Sequence, residues 1–129
     1  MKGVYVLVID VGKDIQEKIG CLRNIRFSKG TYAYVGSAQN NLEKRVARHR
    51  SEKKTLFWHI DYLLNNEFTK VTKVFCKKAG KSEECKIANS LNKTENIIPK
   101  FGCSDCKCES HLFRIKELKN ILNLGVEEL

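Results

Sequence analysis

Proline occurs once in the chain, at Pro99, and no repeat, linker or low-complexity tract interrupts it. A sequence so continuous reads as one domain, and 129 residues with 42% apolar content are enough to bury a single compact core. Long apolar runs are also missing. No stretch approaches the roughly 18 residues needed to cross a bilayer, and the N-terminal run MKGVYVLVID is broken at Asp10, too short for a signal peptide's apolar segment and cleavage site. The expectation is a cytoplasmic protein with no membrane partner. Acidic residues are scarce as well: 15 Asp and Glu against 24 Lys and Arg give a formal charge of +9. That balance draws in polyanions by long-range attraction, although a lysine-rich soluble surface has the same composition.

What is present is a run of short elements. Val4 to Ile9 is β-branched and aromatic, which predicts a strand. Residues 19–27, IGCLRNIRF, predict a second strand, and Thr31 to Val35 a third after the turn Ser28-Lys29-Gly30, so that the three form an antiparallel meander. The period then changes. Leu42, Val46 and His49 recur at helical spacing behind Asn40 or Asn41 as N-cap, predicting a helix over 41–52. Further helices are expected over 56–65, with Leu56, Ile60, Leu63 and Leu64 on one face, over 82–91 with Ser82 as cap, and in the tail KELKNILNL. Val71 to Phe75 and His111 to Ile115 read as additional strands. The fold class is therefore α/β (α+β): a three-stranded antiparallel central sheet flanked by helices.

Within this frame one constellation carries chemistry. Tyr32 and Tyr34 share a strand face, because side chains alternate with period two, and Tyr5 belongs to a strand of the same sheet. Gly36 lets the chain turn out of the sheet into a helix that places Arg45 and His49 one turn apart. Phenols beside a guanidinium suit a phosphate, since arginine offers planar bidentate donors and stays charged. The plainer alternative is a set of ordinary half-buried strand tyrosines beside a solvated basic helix. Glu84 likewise has two readings. It stands where the helix macrodipole favours acidic residues, yet it also lies three, four and seven residues before Ile87, Ala88 and Leu91, on the inward side, whereas Glu83 faces outward.

Gly3-Val4-Tyr5 followed by Tyr34-Val35-Gly36 resembles the paired signature of the GIY-YIG nuclease superfamily, with valine twice in place of isoleucine. SAQNNLEKRVARH resembles that family's arginine-bearing helix, and EECKIA its later helix with a metal-binding glutamate. FWHIDYLL, IPKFGCSDCKC and SHLF are similar to a poorly characterised branch sometimes fused to endonuclease III-type glycosylases, so the resemblance runs to about Phe113. Between Tyr5 and Tyr34 there is an extra hairpin's worth of chain compared with compact members, and the helix arginine is about one residue farther from the glycine.

The resemblance implies a GIY-YIG-like domain that hydrolyses phosphodiesters with one divalent cation, Mg2+ or Mn2+. Glu84 would be the metal ligand and Arg45 would neutralise charge on the phosphate. Tyr5 and Tyr34 would position or deprotonate the attacking water, with His49 as competing base or relay, and Gly36, Ser37 and Arg48 would bind substrate. The implied partner is nucleic acid, DNA in a repair setting, together with a repair glycosylase or another repair protein. A non-catalytic nucleic-acid-binding module of the same fold is the alternative. Magnesium fits a carboxylate that leaves several coordinated waters in place, whereas a tyrosine base needs nearby positive charge to bring its pKa down from about 10.

Six cysteines in a reducing compartment read as thiols or metal ligands. Cys21, Cys76 and Cys85 stand among apolar or helical neighbours, where cysteine packs as a small core residue. Cys103, Cys106, Cys108 and His111 follow C-x2-C-x-C-x2-H, four donors suited to a structural zinc ion in a loop with little other stabilisation. Packed free thiols and oxidation chemistry are the competing readings. Near the second helix, Trp58 is assigned to the core, Asp61 to the surface and His59 to a structural role.

Overall fold

A computed structural model describes residues 1–52, 55–103 and 106–129. Ser104 and Asp105, inside the quoted IPKFGCSDCKC stretch, lie outside the described residues.

The chain forms an α+β domain around β1, residues Gly3–Val11. All but one residue of this strand are buried, because both of its faces are covered. Tyr5, Leu7, Ile9 and Val11 point into one core and Val4, Val6 and Val8 into another. Two nine-residue strands flank β1 in antiparallel register. One is β4, Gly30–Ala38, with Tyr5 opposite Gly36 and Leu7 opposite Tyr34. The other is β5, Thr69–Lys77, with Tyr5 opposite Cys76.

Among the described residues, the central sheet has six strands rather than the expected three. β6 (Asn96–Ile97) and β7 (Leu112–Arg114) extend it beyond β4, and β8 (Glu127–Glu128) extends it beyond β5. The meander is also corrected. Residues 19–27 are not one strand: Leu22 N–H donates to Ile19 O, and Gly20 takes φ +49°, so the middle of the segment is a turn. It joins β2 (Ile15–Lys18) to β3 (Asn24–Phe27) in a separate hairpin, which places Ile15, Ile19 and Phe27 over the first core instead of adding to the sheet. This hairpin takes up most of the chain between β1 and β4.

Among the described residues, four helices cover the two faces. On the first lie α1 (Leu42–Arg50), packing Leu42 and Val46, and α2 (His59–Leu64), packing Ile60 and Leu63. On the second lie α3 (Ser82–Thr94), packing Ile87, Ala88 and Leu91, and α4 (Lys119–Leu122), packing Ile121. Asn41 is the N-cap of α1, its side chain accepting from Lys44 N–H at 3.0 Å. α2 starts later than expected, and Leu56 and Phe57 before it are exposed, because Asp61 Oδ2 accepts the Phe57 and Trp58 N–H groups and closes the helix start there. α3 takes Lys81 as its cap, with Ser82 already helical. Among the described residues no helix is long and apolar enough to cross a membrane.

A candidate phosphate site at the end of the sheet

β1 begins and β4 ends at the same edge of the molecule, and α1 leaves from it. A cavity of about 370 Å³ opens there. Tyr5 and Tyr34 line it from the sheet, Gly36 and Ser37 from the end of β4, Arg45 from α1 and Glu84 from α3, residues up to 79 positions apart in sequence. Most of the expected site residues are thus brought together.

Gly36 does not turn the chain out of the sheet as expected; it stays in β4, paired with Tyr5. Its role is close approach. A Cβ there would stand 2.5 Å from Cζ and Oη of Tyr5, whose ring lies across the glycine. Gly3 has the same logic, since a Cβ would collide with the Lys77 carbonyl oxygen of the neighbouring strand.

Tyr5 is 2% exposed, and its Oη is hydrogen-bonded to Nε2 of His49 at 2.8 Å. Burial pushes the Tyr5 phenol up to about 12, against the opposing pull of the Arg45 guanidinium and its hydrogen bond. Glu84 and Asp61 push in the same direction as burial. Tyr34 is raised well above its ordinary value, first by burial and then by Tyr5 and Glu84. His49 lies behind Tyr5 and does not line this cavity; it borders a second one of about 420 Å³. The phenol therefore connects the first cavity to a buried imidazole.

Arg45 donates to the Ser37 carbonyl at 3.1 Å and stacks over the Trp58 ring at 4.5 Å. Both contacts hold the guanidinium at the cavity wall. Arg48, expected to bind substrate, is not among the cavity-lining residues. Its Nη1 and Nη2 donate to the two carboxylate oxygens of Asp61 at 2.9 and 3.0 Å, and Nη2 also donates to Thr55 O. Asp61 in turn is fully buried, not at the surface. Burial opposes its ionisation, yet the bonds from Arg48 and from two backbone N–H groups hold its carboxyl below the usual range. Trp58 is half-buried, packed against the first core as expected, and also lines the cavity.

The α3 carboxylates separate as expected. Glu83 pairs outward with Lys77 at 2.9 Å, while Glu84 is 15% exposed and lines the cavity. Its Oε2 is 3.8 Å from Nδ1 of His111. An inward carboxylate facing an arginine across a water-accessible space is the arrangement a hard divalent cation and a phosphate oxygen can share.

His59 accepts the Gly102 N–H at Nδ1, 2.8 Å, which fastens the cysteine loop to α2. Burial lowers its pKa, consistent with a neutral acceptor. The cysteines depart in part from expectation. Cys76 packs against the first core, but Cys21 is exposed, Cys85 is only half-buried, and Cys103 Sγ turns toward Phe101 O at 3.5 Å. Cys85, Cys106, Cys108 and His111 form the cluster instead.

Several lining residues were missed in the sequence. Lys81 adds a cation to the wall, and Gln39 lines it with an Nε2 that is buried and has no hydrogen-bond partner among the described residues. No pattern of spacing marks Gln39. Asp61, three residues after the N-cap Trp58, did carry the signal of a carboxylate reaching back to a helix start.

One family model, described as "Domain of unknown function DUF123", matches residues 4–128 of the chain. No curated protein and no solved structure matches it.

Proposed function

The chain belongs to the DUF123 domain family, and we propose that it is a divalent-metal-dependent endonuclease of GIY-YIG type, hydrolysing phosphodiester bonds of nucleic acid. The observation that carries this reading is the single cavity into which Tyr5, Tyr34, Arg45 and Glu84 converge from four separate elements. A pure binding surface has no use for a largely buried carboxylate, which repels phosphate unless a cation lies between them. Glu84 is the residue that would hold magnesium or manganese, and such an ion supplies Lewis-acid polarisation of the phosphoryl oxygen.

The chain's own residues perform the remaining tasks. Arg45, fixed by Ser37 O and Trp58, offers charge to a non-bridging phosphate oxygen. Lys81 and the overall charge of +9 draw the polyanion in. With Tyr5 at about 12, free tyrosinate is rare at neutral pH. A relay removes that need: the attacking water gives its proton to Tyr5 Oη while Tyr5 gives its own to His49 Nε2, 2.8 Å away. Tyr34 beside it positions the water. DNA in a repair setting is the substrate class, and a repair glycosylase or another repair protein the partner, that the resemblance favours.

The second reading, a binding module of the same fold, is favoured by the same raised phenols, because neither tyrosine is an active base without the relay. Cleavage of single-stranded, duplex and branched DNA and RNA with magnesium or manganese separates the two. Cleavage is expected to vanish on chelation and in Glu84→Ala and Arg45→Ala. Binding without any cleavage, with Glu84→Ala binding as well as wild type or better, establishes the module.

A further inference from the structure

Beside the cavity, the first turn of α3 and the loop before β7 bring four soft or borderline donors together. We propose that Cys85, Cys106, Cys108 and His111 hold one structural zinc ion. Their donor atoms all lie within 4.8 Å of one another, and Cys106 Sγ is 3.3 Å from His111 Nε2. Donors bound to one tetrahedral zinc at about 2.0–2.3 Å stand roughly 3.5–3.8 Å apart, so the cluster reaches that geometry with a closure of about 1 Å on its longest edge.

His111 is set for the task before any ion arrives. Its Nδ1 lies 3.1 Å from the Val35 carbonyl oxygen, which can only accept, so the proton is on Nδ1 and Nε2 presents a lone pair on the side of the sulfurs. The ring is 2% exposed, and the backbone of His111 is held both ways, its N–H by Phe101 O and its carbonyl by Val35 N–H. Three thiolates and an imidazole select zinc over magnesium, and four protein ligands leave no open position, which marks a structural ion rather than a catalytic one.

Cys103 is left out of the ligand set, since it is not among the mutually close donors and its Sγ lies 3.5 Å from Phe101 O. Cys85 takes its place and supplies what the short C-x2-C-x-C-x2-H spacing lacks, a ligand from a separate part of the chain. Lys100 and Gly102, both in the left-handed region, carry the loop with little regular structure. The metal cross-links that loop to α3, and binding releases the protons of the three thiols. Cys85 directly follows Glu84, and His111 touches Glu84 through its other nitrogen, so the ion fixes the carboxylate that lines the cavity. The zinc site itself does not depend on the hydrolase reading.

The test is the zinc content of the full chain, purified without chelator and again after refolding with added zinc. One zinc per chain is expected, kept by Cys103→Ser and lost by Cys85→Ser and Cys108→Ser. Cobalt(II) in the wild-type protein is expected to give the intense visible bands of a thiolate-rich tetrahedral site, a readout that holds even where a variant fails to fold. Alkylation should reach Cys85, Cys106 and Cys108 only after chelation, while exposed Cys21 reacts throughout. Refolded wild type with neither zinc nor cobalt bands overturns the proposal. So does zinc lost from Cys103→Ser but retained by Cys85→Ser, or a disulfide among these cysteines in freshly purified protein.

Discussion

Gly36→Ala adds one methyl group and should cost far more than its size. The new Cβ would stand 2.5 Å from Cζ and Oη of Tyr5. Backbone strain contributes nothing, because Gly36 has no left-handed φ, and alanine by itself should gain about 0.4–1 kcal/mol by restricting the unfolded chain. The whole penalty therefore falls on Tyr5. Its ring is buried and cannot swing into solvent without leaving His49 Nε2, 2.8 Å away. Losing that bond inside the protein costs about 1–3 kcal/mol, and the strain of overpacking about 1–3 more. The net loss is about 1–5 kcal/mol. With an unfolding entropy of about 2.1 cal/mol/K per residue, a chain of this length loses roughly 4–18 °C in Tm. Urea titration followed by circular dichroism gives the number, and a double-mutant cycle gives the cause. In a Tyr5→Ala background the added methyl group should cost less than about 1 kcal/mol, leaving a coupling of at least about 1.5 kcal/mol. Equal costs in both backgrounds would refute the assignment of the glycine to Tyr5.

Asp61 sets an acid limit on stability. Its folded pKa lies below its unfolded value near 3.8, so its stabilisation is complete above that value and is lost as pH falls through the folded one. Unfolding free energy measured from pH 5 to pH 2 should fall more steeply in wild type than in Asp61→Asn. Asp61→Ala, which strands Arg48 and two backbone N–H groups, should cost about 3 kcal/mol, the low end for a broken buried pair because Arg48 stays 30% exposed. Phe57 is 74% exposed beside Trp58, at the mouth of a cavity that shares Tyr34 and Trp58 with the candidate phosphate site. If an unpaired base stacks there, Phe57→Ala should weaken single-strand binding by about 1–3 kcal/mol and leave duplex binding unchanged, as read by fluorescence anisotropy at constant salt. Tyr5→Phe keeps the ring and removes the relay, so cleavage should drop at least 100-fold while folding and nucleic-acid binding persist.

The parts of this molecule legible in sequence are those written in local periodicity. α1 with its Asn41 cap, the inward turn of Glu84 and the outward turn of Glu83 follow from spacing of three and four residues. The sheet was legible only piecewise. Val4 to Ile9 reads as a strand, but nothing local says that β5, nearly seventy residues on, pairs with it, or that β2 and β3 leave the sheet to cover its face. Gly36 was noticed for the wrong reason, because a glycine needed for a neighbour's ring looks the same in sequence as one needed for a turn. Cys85 was read as a core residue for a similar reason. Its partners lie more than twenty residues away, and a thiol on an amphipathic helix carries no mark of what it faces.

β1 pairs with β4 and β5, and the cavity draws on residues from Tyr5 to Gly102. Contacts between segments so distant in sequence form slowly, after loop closure has been achieved. During synthesis the chain must therefore release most of its length before the cavity is complete. On the function proposed above, the site is incomplete while the chain is still being made, and a fragment ending before α3 lacks Glu84.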